Sequence, residues 1–330
     1  MKEPAMIHPP AEAPILEIRD LVTHFASVEP GKVVRAVDGV SLTLQPGEMV
    51  GLIGESGCGK STLGRTIVGL AKPKSGQVLY RGTDLSQLRG RQLRETRREI
   101  QYVFQDPFAS MNERQTIGEA ISEALEIVGQ TAGPDRDRQV LHLLDDVGLP
   151  ATAAGRYARE LSGGQRQRAA IARSLAVRPR VLICDEPVSA LDLSVRAQVM
   201  NLLLDLQKEK RVSCLFIAHD LALVRQAATR VYVMYLGRIV EEGRSEDIYG
   251  SPGHPYVRGL LESVPNPDPR IERTRRPELI LGDMPSAVDP PSGCRFRTRC
   301  PISDADCALE IPRPVIASAG HLVSCRRIEL

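Results

Sequence analysis

Residues 54–61, Gly-Glu-Ser-Gly-Cys-Gly-Lys-Ser, limit the possible fold of this chain more than any other segment. They follow an apolar stretch that ends at Ile53 and precede a helical pattern over residues 62–70, which predicts a glycine-rich loop between a strand and a helix. Such a loop binds nucleotide phosphates through backbone N–H groups, the helix N-terminus and the lysine, while its serine binds Mg²⁺. A glycine-rich turn without function is the alternative, and the flanking strand and helix argue against it. The candidate nucleotide-binding residues are Gly54, Glu55, Ser56, Gly57, Cys58, Gly59, Lys60, Ser61 and Thr62.

The rest of the pattern indicates an α/β fold. Short β-branched stretches at residues 48–53 and 180–184 are typical of buried parallel strands, and amphipathic helical stretches lie between such strands. Strand signals are absent between about residues 106 and 178, which predicts a helical subdomain inserted into the sheet domain. We therefore expect a phosphate-loop core with a mixed sheet and helices, spanning residues 15–265 after a disordered tail at 1–14.

Composition excludes several classes of protein. The 330 residues carry 43 Lys+Arg and 41 Asp+Glu, and this near balance argues against a general binder of nucleic acid. Tryptophan is absent and aromatic residues make up only 4%, so a stacking platform for single strands is not expected. The longest apolar run, residues 231–236, is far below the roughly 20 residues that cross a bilayer. The N-terminus lacks the apolar stretch of a signal peptide. We expect a cytoplasmic chain, or one held at a membrane by a partner.

Two acids follow the apolar strand at residues 181–184. An acid at the end of such a strand holds Mg²⁺ in phosphate-loop ATPases, which suits Asp185. The adjacent Glu186 is then placed to polarise the attacking water. A pair of acids that only caps the next element is the alternative, and the phosphate loop elsewhere in the chain makes it the weaker one.

The segment Leu-Ser-Gly-Gly-Gln at residues 161–165 precedes a second helical pattern. Chemically it is another glycine-rich helix N-terminus, and therefore a second candidate site for an anion. Two phosphate-binding helix starts in a chain with one phosphate loop suggest a composite site shared between two subunits.

With these motifs the sequence resembles the ATP-binding cassette (ABC) ATPases over roughly residues 15–265. The resemblance rests on the phosphate loop, the strand ending in Asp185 and Glu186, and four further segments in the family's order. These are Gln105 in Phe-Gln-Asp-Pro, the signature at 161–165, Ser-Ala-Leu-Asp at 189–192 and Ala-His-Asp at 218–220.

The resemblance implies roles for these residues. Two cassettes would meet head to tail, and Ser162, Gly163, Gly164 and Gln165 would face the ATP held by the other cassette, with Asp192 in the loop between them. Gln105 would reach Mg²⁺, together with Ser61 and Asp185, and the attacking water. Glu186, His219 and Gln105 form the predicted catalytic set.

For His219 a satisfied core histidine is the alternative. Phe25 is the candidate for stacking on adenine, although it could equally belong to the core.

Finer details resemble the ATPase subunits of bacterial dipeptide and oligopeptide importers, in particular the second of their two ATPases. These details are the residue sequence of the phosphate loop, Phe-Gln-Asp-Pro-Phe-Ala-Ser-Met-Asn at 104–112 and Ser-Pro-Gly-His-Pro-Tyr at 251–256. The implied partners are a paralogous second ATPase, two transmembrane permease subunits and an extracytoplasmic peptide-binding protein. The implied location is the cytoplasmic face of the inner membrane, where residues 106–114 would meet a permease.

Three alternatives stay open at this stage. The chain could serve an importer of nickel or another small solute, or it could be a non-transport cassette ATPase that acts as a soluble assembly factor. It could also be a metal-sensing regulator, against which the intact catalytic set argues. A basic stretch at residues 89–98 suggests a nucleic-acid or lipid contact, but a solvated helix with glutamate partners explains it better.

Four of the seven cysteines lie close together near the C-terminus. A proline-rich linker at 266–291 precedes a module at 292–330 that contains Cys294, Cys300, Cys307 and Cys325. Four thiolates can hold zinc or an iron–sulfur cluster, and a reducing cytoplasm disfavours disulfides. The spacing lacks the short cysteine pairs of structural zinc sites, and importer ATPases of the resembled family carry a similar tail. We expect a 4Fe–4S cluster, with zinc or unliganded thiols as alternatives.

Overall fold

The computed structural model describes residues 13–106, 111–129, 132–189, 191–264, 270, 280 and 282–328. Their strands are β1 (Leu16–Ala26), β2 (Val33–Leu44), β3 (Met49–Ile53), β4 (Ser75–Tyr80), β5 (Thr83–Asp84), β6 (Ile100–Val103), β7 (Val181–Asp185), β8 (Ser213–Ala218), β9 (Arg230–Tyr235), β10 (Arg238–Arg244), β11 (Val315–Ser318) and β12 (His321–Val323). Their helices are α1 (Lys60–Ile67), α2 (Gly90–Glu99), α3 (Ile117–Ile127), α4 (Pro134–Asp146), α5 (Gly163–Ala176), α6 (Leu193–Lys210), α7 (Leu221–Ala227), α8 (Ser245–Gly250) and α9 (Pro255–Glu262).

A mixed sheet of eight strands runs through the centre of the protein, in the order β11-β12-β10-β9-β3-β8-β7-β6. The strands β6, β7, β8, β3 and β9 are parallel, whereas β10, β12 and β11 join the β9 edge in antiparallel pairs. Ile53 pairs with Ala218, and Asp185 pairs with Ile217. The carboxyl ends of β3, β7 and β8 therefore meet at one edge, as ligand sites of parallel sheets require. The expectation of an α/β core with a mixed sheet is confirmed.

Both faces of this sheet are covered. In β3 the side chains of Met49 and Ile53 pack into one apolar cluster, and those of Val50 and Leu52 pack into a second cluster on the other face. This alternation follows from the pleat, which sends successive side chains to opposite faces. Because both faces are apolar, β3 has the continuous hydrophobic sequence of a buried parallel strand.

A second sheet covers one of these faces. It has four antiparallel strands in the order β2-β1-β4-β5. Its apolar side chains share a cluster with α1 and the central strands, and they include Leu16, Ile18, Val40 and Leu42. This antiparallel layer was not predicted from the sequence.

The segment predicted to be helical contains α3, α4 and α5. Their buried side chains, among them Ile121, Leu144 and Ile171, pack into the cluster on the other face of the central sheet. Helix α3 begins at a capping box in which Thr116 and Glu119 exchange side-chain and backbone hydrogen bonds. Helix α4 begins with Pro134 directly after Gly133, which suits a helix start because proline has no N–H to leave unpaired.

Residues 282–328 pack against the cassette. Strand β12 pairs with β10 through Glu241 and Val323, and it carries β11 at the edge of the sheet. The Phe296 ring is buried against Tyr235 and Tyr256, with centroid distances of 5.2 and 5.4 Å. This segment therefore shares the cassette's apolar core, which contains Phe296.

Several predictions fall on undescribed residues. The predicted tail lies outside the described part of the chain except for residues 13 and 14, and so does most of the predicted linker. In the predicted permease contact, residues 107–110 are also outside it. Among the described helices, none combines the length and the apolar character that a membrane crossing requires.

Candidate nucleotide-binding and hydrolysis site

The loop between β3 and α1 closes around the ammonium group of Lys60. Lys60 Nζ donates hydrogen bonds to the carbonyl oxygens of Gly54 (2.7 Å) and Glu55 (2.9 Å), and the side chain is buried. Gly59 has a φ of +109°, and a Cβ atom there would lie 2.0 Å from the carbonyl oxygen of Ala36. Only glycine fits this position, since the left-handed conformation and the close approach both exclude a side chain.

Helix α1 begins at Lys60 without a side chain that caps its N-terminus. Its first backbone N–H groups have no intrahelical acceptor, and they are the groups that bind phosphate at such a helix start. Ser56 and Gly57 are exposed, whereas the thiol of Cys58 is buried. Burial raises the pKa of Cys58, so this thiol stays neutral beside the lysine.

Two of the three predicted Mg²⁺ ligands, Ser61 and Asp185, are hydrogen-bonded to each other, whereas the third, Gln105, donates to Glu186. Ser61 Oγ donates a hydrogen bond of 2.9 Å to Asp185 Oδ1, which joins the start of α1 to the end of β7. The other carboxylate oxygen of Asp185 accepts a hydrogen bond of 2.6 Å from the hydroxyl of Tyr102. A hydroxyl beside a buried carboxylate is the kind of oxygen donor set that Mg²⁺ binds, so these residues fit the ion.

Glu186 connects the other two predicted catalytic residues. Its Oε2 accepts a hydrogen bond of 3.0 Å from Gln105 Nε2, and the same oxygen lies 3.2 Å from His219 Nδ1. The Glu186 side chain is 13% exposed and that of His219 is 53% exposed, which places His219 at the surface. The backbone of Glu186 has a φ of +44°, an uncommon conformation for glutamate. Because the side chain of His219 is exposed, a satisfied core histidine does not describe it.

The signature segment forms the start of α5. Ser162 and Gln165 cap the helix reciprocally, with Gln165 N–H donating to Ser162 Oγ at 3.3 Å and Ser162 N–H donating to Gln165 Oε1 at 3.1 Å. Ser162 and Gly163 are exposed. Gly164 is buried against α6, where a Cβ atom would lie 2.1 Å from Val195 Cγ1. In the described part of the chain these capping bonds stay within the segment, and the structure does not join it to the phosphate loop.

Asp192 and Phe25 lie away from these contacts. Asp192 caps α6 by accepting hydrogen bonds from Val195 N–H (3.0 Å) and Ser194 Oγ (2.8 Å), and these bonds lower the pKa of its carboxyl group. Phe25 lies near the end of β1, is 43% exposed and belongs to neither apolar cluster. The alternative that it is a core residue is therefore wrong.

Three residues at the site were missed in the sequence. Tyr102 binds Asp185, Tyr256 accepts a hydrogen bond of 2.8 Å from Glu55 N–H, and Arg299 Nη1 donates to Glu55 Oε2 at 2.9 Å. The segment Ser-Pro-Gly-His-Pro-Tyr, which was noted for its resemblance to peptide-importer ATPases, was a signal for Tyr256. No comparable pattern marks Tyr102 or Arg299.

The four C-terminal cysteines lie in one segment. Cys307 is buried, and the other three are partly buried. Cys294 N–H donates to the carbonyl oxygen of Cys307 at 2.8 Å. Burial raises the pKa of Cys294 to about 11, and the neighbouring thiols Cys307, Cys325 and Cys300 contribute to the rise. Nevertheless, no group of three or more His, Cys, Asp or Glu side chains among the described residues forms a metal site. The arrangement gives no support to the expected iron–sulfur cluster.

The described geometry defines a phosphate-loop nucleotide site. The phosphate loop, the hydrogen-bonded pair Ser61–Asp185 and the carboxylate held by Gln105 and His219 lie at adjacent carboxyl ends of parallel strands. This is the arrangement that ATP hydrolysis requires, because phosphoryl transfer depends on positioning and charge neutralisation.

Comparison with known proteins identifies the class. Residues 37–189 match the ABC transporter family, and residues 240–307 match the oligopeptide/dipeptide transporter C-terminal region. The oligopeptide transport ATP-binding protein OppF of Salmonella typhimurium is 48% identical over 328 residues, covering 96% of both chains. OppF of Escherichia coli is likewise 48% identical over 328 residues, with the same coverage.

Solved structures agree with this result. A dimeric ATP-binding cassette bound to ADP and Pi in a post-hydrolysis state is 29% identical, with a TM-score of 0.64 over 70% of this chain and 98% of that one. The protein cbiO1 of Clostridium perfringens, part of an ABC transporter complex, is 28% identical, with the same TM-score over 80% and 99%. The chain belongs to the ABC transporter family of ATP-binding proteins, in the group with the oligopeptide/dipeptide transporter C-terminal region. The resemblance stated from the motifs is confirmed, and the protein is a transport-coupled ATPase.

Proposed function

We propose that this chain binds ATP with Mg²⁺ at its phosphate loop and hydrolyses it to power the import of peptides by a bacterial ABC transporter. The observation that carries the proposal is the bonded pair Ser61–Asp185 beside the bonded set Gln105–Glu186–His219. The names of the OppF relatives, which are 48% identical over almost the whole chain, support peptides as the substrate class.

Each residue of the site has a distinct part in this function. Lys60 and the N–H groups at the start of α1 bind the phosphates, and Ser61 and Asp185 hold Mg²⁺, which neutralises charge on the phosphate oxygens when bound. Glu186 accepts a proton from the attacking water. Gln105 and His219 fix the orientation of the Glu186 carboxylate. Phe25 is retained as the residue that stacks on adenine, since its ring is exposed.

The signature segment is assigned to the ATP site of a second cassette. Ser162 and Gly163 are exposed, and the capping bonds of residues 162–165 stay within the segment. A second ATPase, proposed as a paralogue, would bring its phosphate loop to this surface, with Asp192 near the contact.

Membrane permease partners follow from the family. We propose two of them, together with an extracytoplasmic peptide-binding protein, and a peripheral location at the cytoplasmic face of the inner membrane.

The proposed domain organisation is a cassette at residues 15–265 with a helical subdomain at about 106–178, a linker at 266–291 and a cysteine-containing module at 292–330. The pairing of β12 with β10 supports a close attachment of the module to the cassette. Tail residues 1–14 complete this proposed division.

The central experiment is the substitution Glu186→Gln. It keeps the side chain's shape but removes the proton acceptor, so we expect ATP binding to persist and turnover to fall by about 100-fold or more. ATP binding and phosphate release are measured on the purified chain with its transporter partners. Glu209→Gln, an exposed acid on α6, is the control and should hydrolyse ATP like the wild type. Wild-type turnover in Glu186→Gln would remove Glu186 from the proposed role.

The substrate is tested by reconstitution. Proteoliposomes that contain the complete transporter should take up labelled oligopeptide with ATP and Mg²⁺ and without added nickel. Uptake of nickel but not of peptide would contradict the peptide assignment.

The cysteine module is a separate proposal. A 4Fe–4S cluster, with zinc as the alternative, would draw on Cys294, Cys300, Cys307 and Cys325; the support is their grouping near the C-terminus and the backbone hydrogen bond of Cys294 to Cys307. Iron, sulfide and zinc are measured in anaerobically purified protein. Iron and sulfide in equal amounts are expected, and zinc without sulfide would contradict the cluster.

A further inference from the structure

Glu55 is the point where the C-terminal segment meets the phosphate loop. Arg299 Nη1 donates a hydrogen bond of 2.9 Å to Glu55 Oε2, and it does so with a side chain that is only 8% exposed. A nearly buried guanidinium requires a partner, because an unpaired charge in such a place is costly. The ion pair therefore differs from the exposed pairs of the surface, which contribute little.

The backbone of Glu55 is held as well. Its N–H donates to the hydroxyl of Tyr256 at 2.8 Å, and its carbonyl oxygen accepts from Lys60 Nζ at 2.9 Å. Tyr256 is fully buried, and its ring packs on Tyr235 with a centroid distance of 4.7 Å. The three polar parts of Glu55 are thus bound by three different elements, which fixes the residue at the entry to the phosphate loop.

The segment that presents Arg299 is itself anchored. Phe296 is 1% exposed, and its carbonyl oxygen accepts a hydrogen bond of 2.9 Å from Arg299 N–H. Arg295, which directly precedes Phe296, binds Asp38 in β2 and the carbonyl oxygen of Leu236. Residues 295–299 are therefore fastened to the cassette on both sides of the buried ring, and Arg299 is presented to Glu55 from a fixed position.

We propose that Arg299 is a positioning residue for ATP: through Glu55 it holds the phosphate loop in the conformation that binds nucleotide, so the cysteine-containing segment sets the affinity of the ATP site. This inference rests on the proposed ATP binding at the loop. If the loop must be ordered before its N–H groups converge on phosphate, the apparent affinity for ATP falls in proportion to the fraction of molecules in which the loop is ordered. Loss of the Arg299–Glu55 ion pair lowers that fraction and leaves the chemistry at Glu186 unchanged.

The test is the substitution Arg299→Gln in the full chain, with ATP–Mg²⁺ as the ligand. We expect the Kd and KM for ATP to rise about fivefold with little change in kcat, since only loop ordering is affected. The Kd of Arg299→Lys for ATP should lie between those of the wild type and Arg299→Gln, because lysine keeps the charge but loses the planar fork of the guanidinium. Arg297→Gln is the matched control: its Nε binds Ser292 O at 2.9 Å within the same segment, so ATP affinity should stay at the wild-type value.

A double-mutant cycle links the effect to Glu55. Glu55→Gln and Arg299→Gln should each weaken ATP binding, and the double variant should bind no more weakly than the weaker single variant, because both remove the same contact. Independent, additive losses would overturn the assignment. A wild-type Kd in Arg299→Gln, accompanied by a lowered Tm of the nucleotide-free chain, would also overturn it and leave Arg299 a structural role alone.

The proposed function is monitored separately with Lys60→Ala. If the wild type binds ATP, Lys60→Ala does not, and Arg299→Gln matches the wild type, only the positioning role is lost. If the wild type binds no ATP, both proposals are wrong. Should Arg299→Gln fail to fold, Arg299→Lys and Glu55→Gln provide the same comparison.

Discussion

At the scale of single residues, the buried carboxylate of Asp185, the proposed Mg²⁺ ligand, is held by hydrogen bonds to both of its oxygens. It is 1% exposed, and its two oxygens accept hydrogen bonds from Ser61 and Tyr102. Burial is the main cause that raises the pKa of Tyr102, and the hydrogen bond to Asp185 is the second. The phenol therefore stays protonated and acts as a donor at physiological pH. Tyr102 thus orients the oxygen that does not face Ser61.

Tyr102→Phe removes this donor and leaves Asp185 Oδ2 without it. We expect the free energy of unfolding to fall by about 1–3 kcal/mol and the Mg²⁺ concentration for half-maximal hydrolysis to rise about tenfold. Denaturant unfolding and a Mg²⁺ titration measure the two effects. Tyr249→Phe, which breaks the hydrogen bond to Leu221 O (2.6 Å), is the control. It should lose stability but keep the Mg²⁺ dependence, and an equal Mg²⁺ shift in both variants would contradict the role of Tyr102.

At the scale of elements, the packing of α5 on α6 explains one signature glycine without reference to nucleotide. Gly164 is buried, and a Cβ atom there would lie 2.1 Å from Val195 Cγ1. The two helices approach as closely as they do because position 164 has no side chain. The exposed Gly163 and the buried Gly164 therefore meet different demands, although they are adjacent in one motif.

Gly164→Ala should lower the free energy of unfolding by about 1–3 kcal/mol, because the added methyl overpacks this contact. Adding Val195→Ala removes the opposing methyl groups and should recover part of the loss. Gly155→Ala, where a Cβ atom meets nothing within 4 Å, is the control and should unfold like the wild type. Thermal unfolding measures all four proteins. Equal stability of Gly164→Ala and Gly155→Ala would show that α5 can shift to admit the methyl group.

The elements also show where sequence patterns were sufficient. The apolar stretches of β3 and β7 predict buried parallel strands, and the common direction of these strands brings Ser61 to Asp185. The position of Phe25 was not predictable, because register shifts interrupt the pairing of β1 with β2 and break the alternation that would distinguish core from surface. The short strands β11 and β12 were also missed. Strand β11 is mostly exposed, so its sequence has no alternation of apolar and polar residues that would predict a strand.

At the scale of the whole molecule, the sequence predicts the family and the grouping of motifs, but not the contacts between distant segments. Arg299 and Glu55 are separated by 244 positions, and the sequence around neither residue indicates the other. Such pairs are set by the packing of β12 on β10 and of Phe296 on Tyr235, which no periodicity encodes. The ion pair that holds the phosphate loop could therefore be found only in the three-dimensional structure.

This separation has a consequence for the protein during its synthesis. With 244 positions between the partners, Glu55 leaves the ribosome on the order of ten to fifty seconds before Arg299, at about 5–20 residues per second. During that interval the nascent cassette has its lysine and glycines but not the contact that orders them. We expect newly made cassettes to gain their full affinity for ATP only after residues 295–299 have packed.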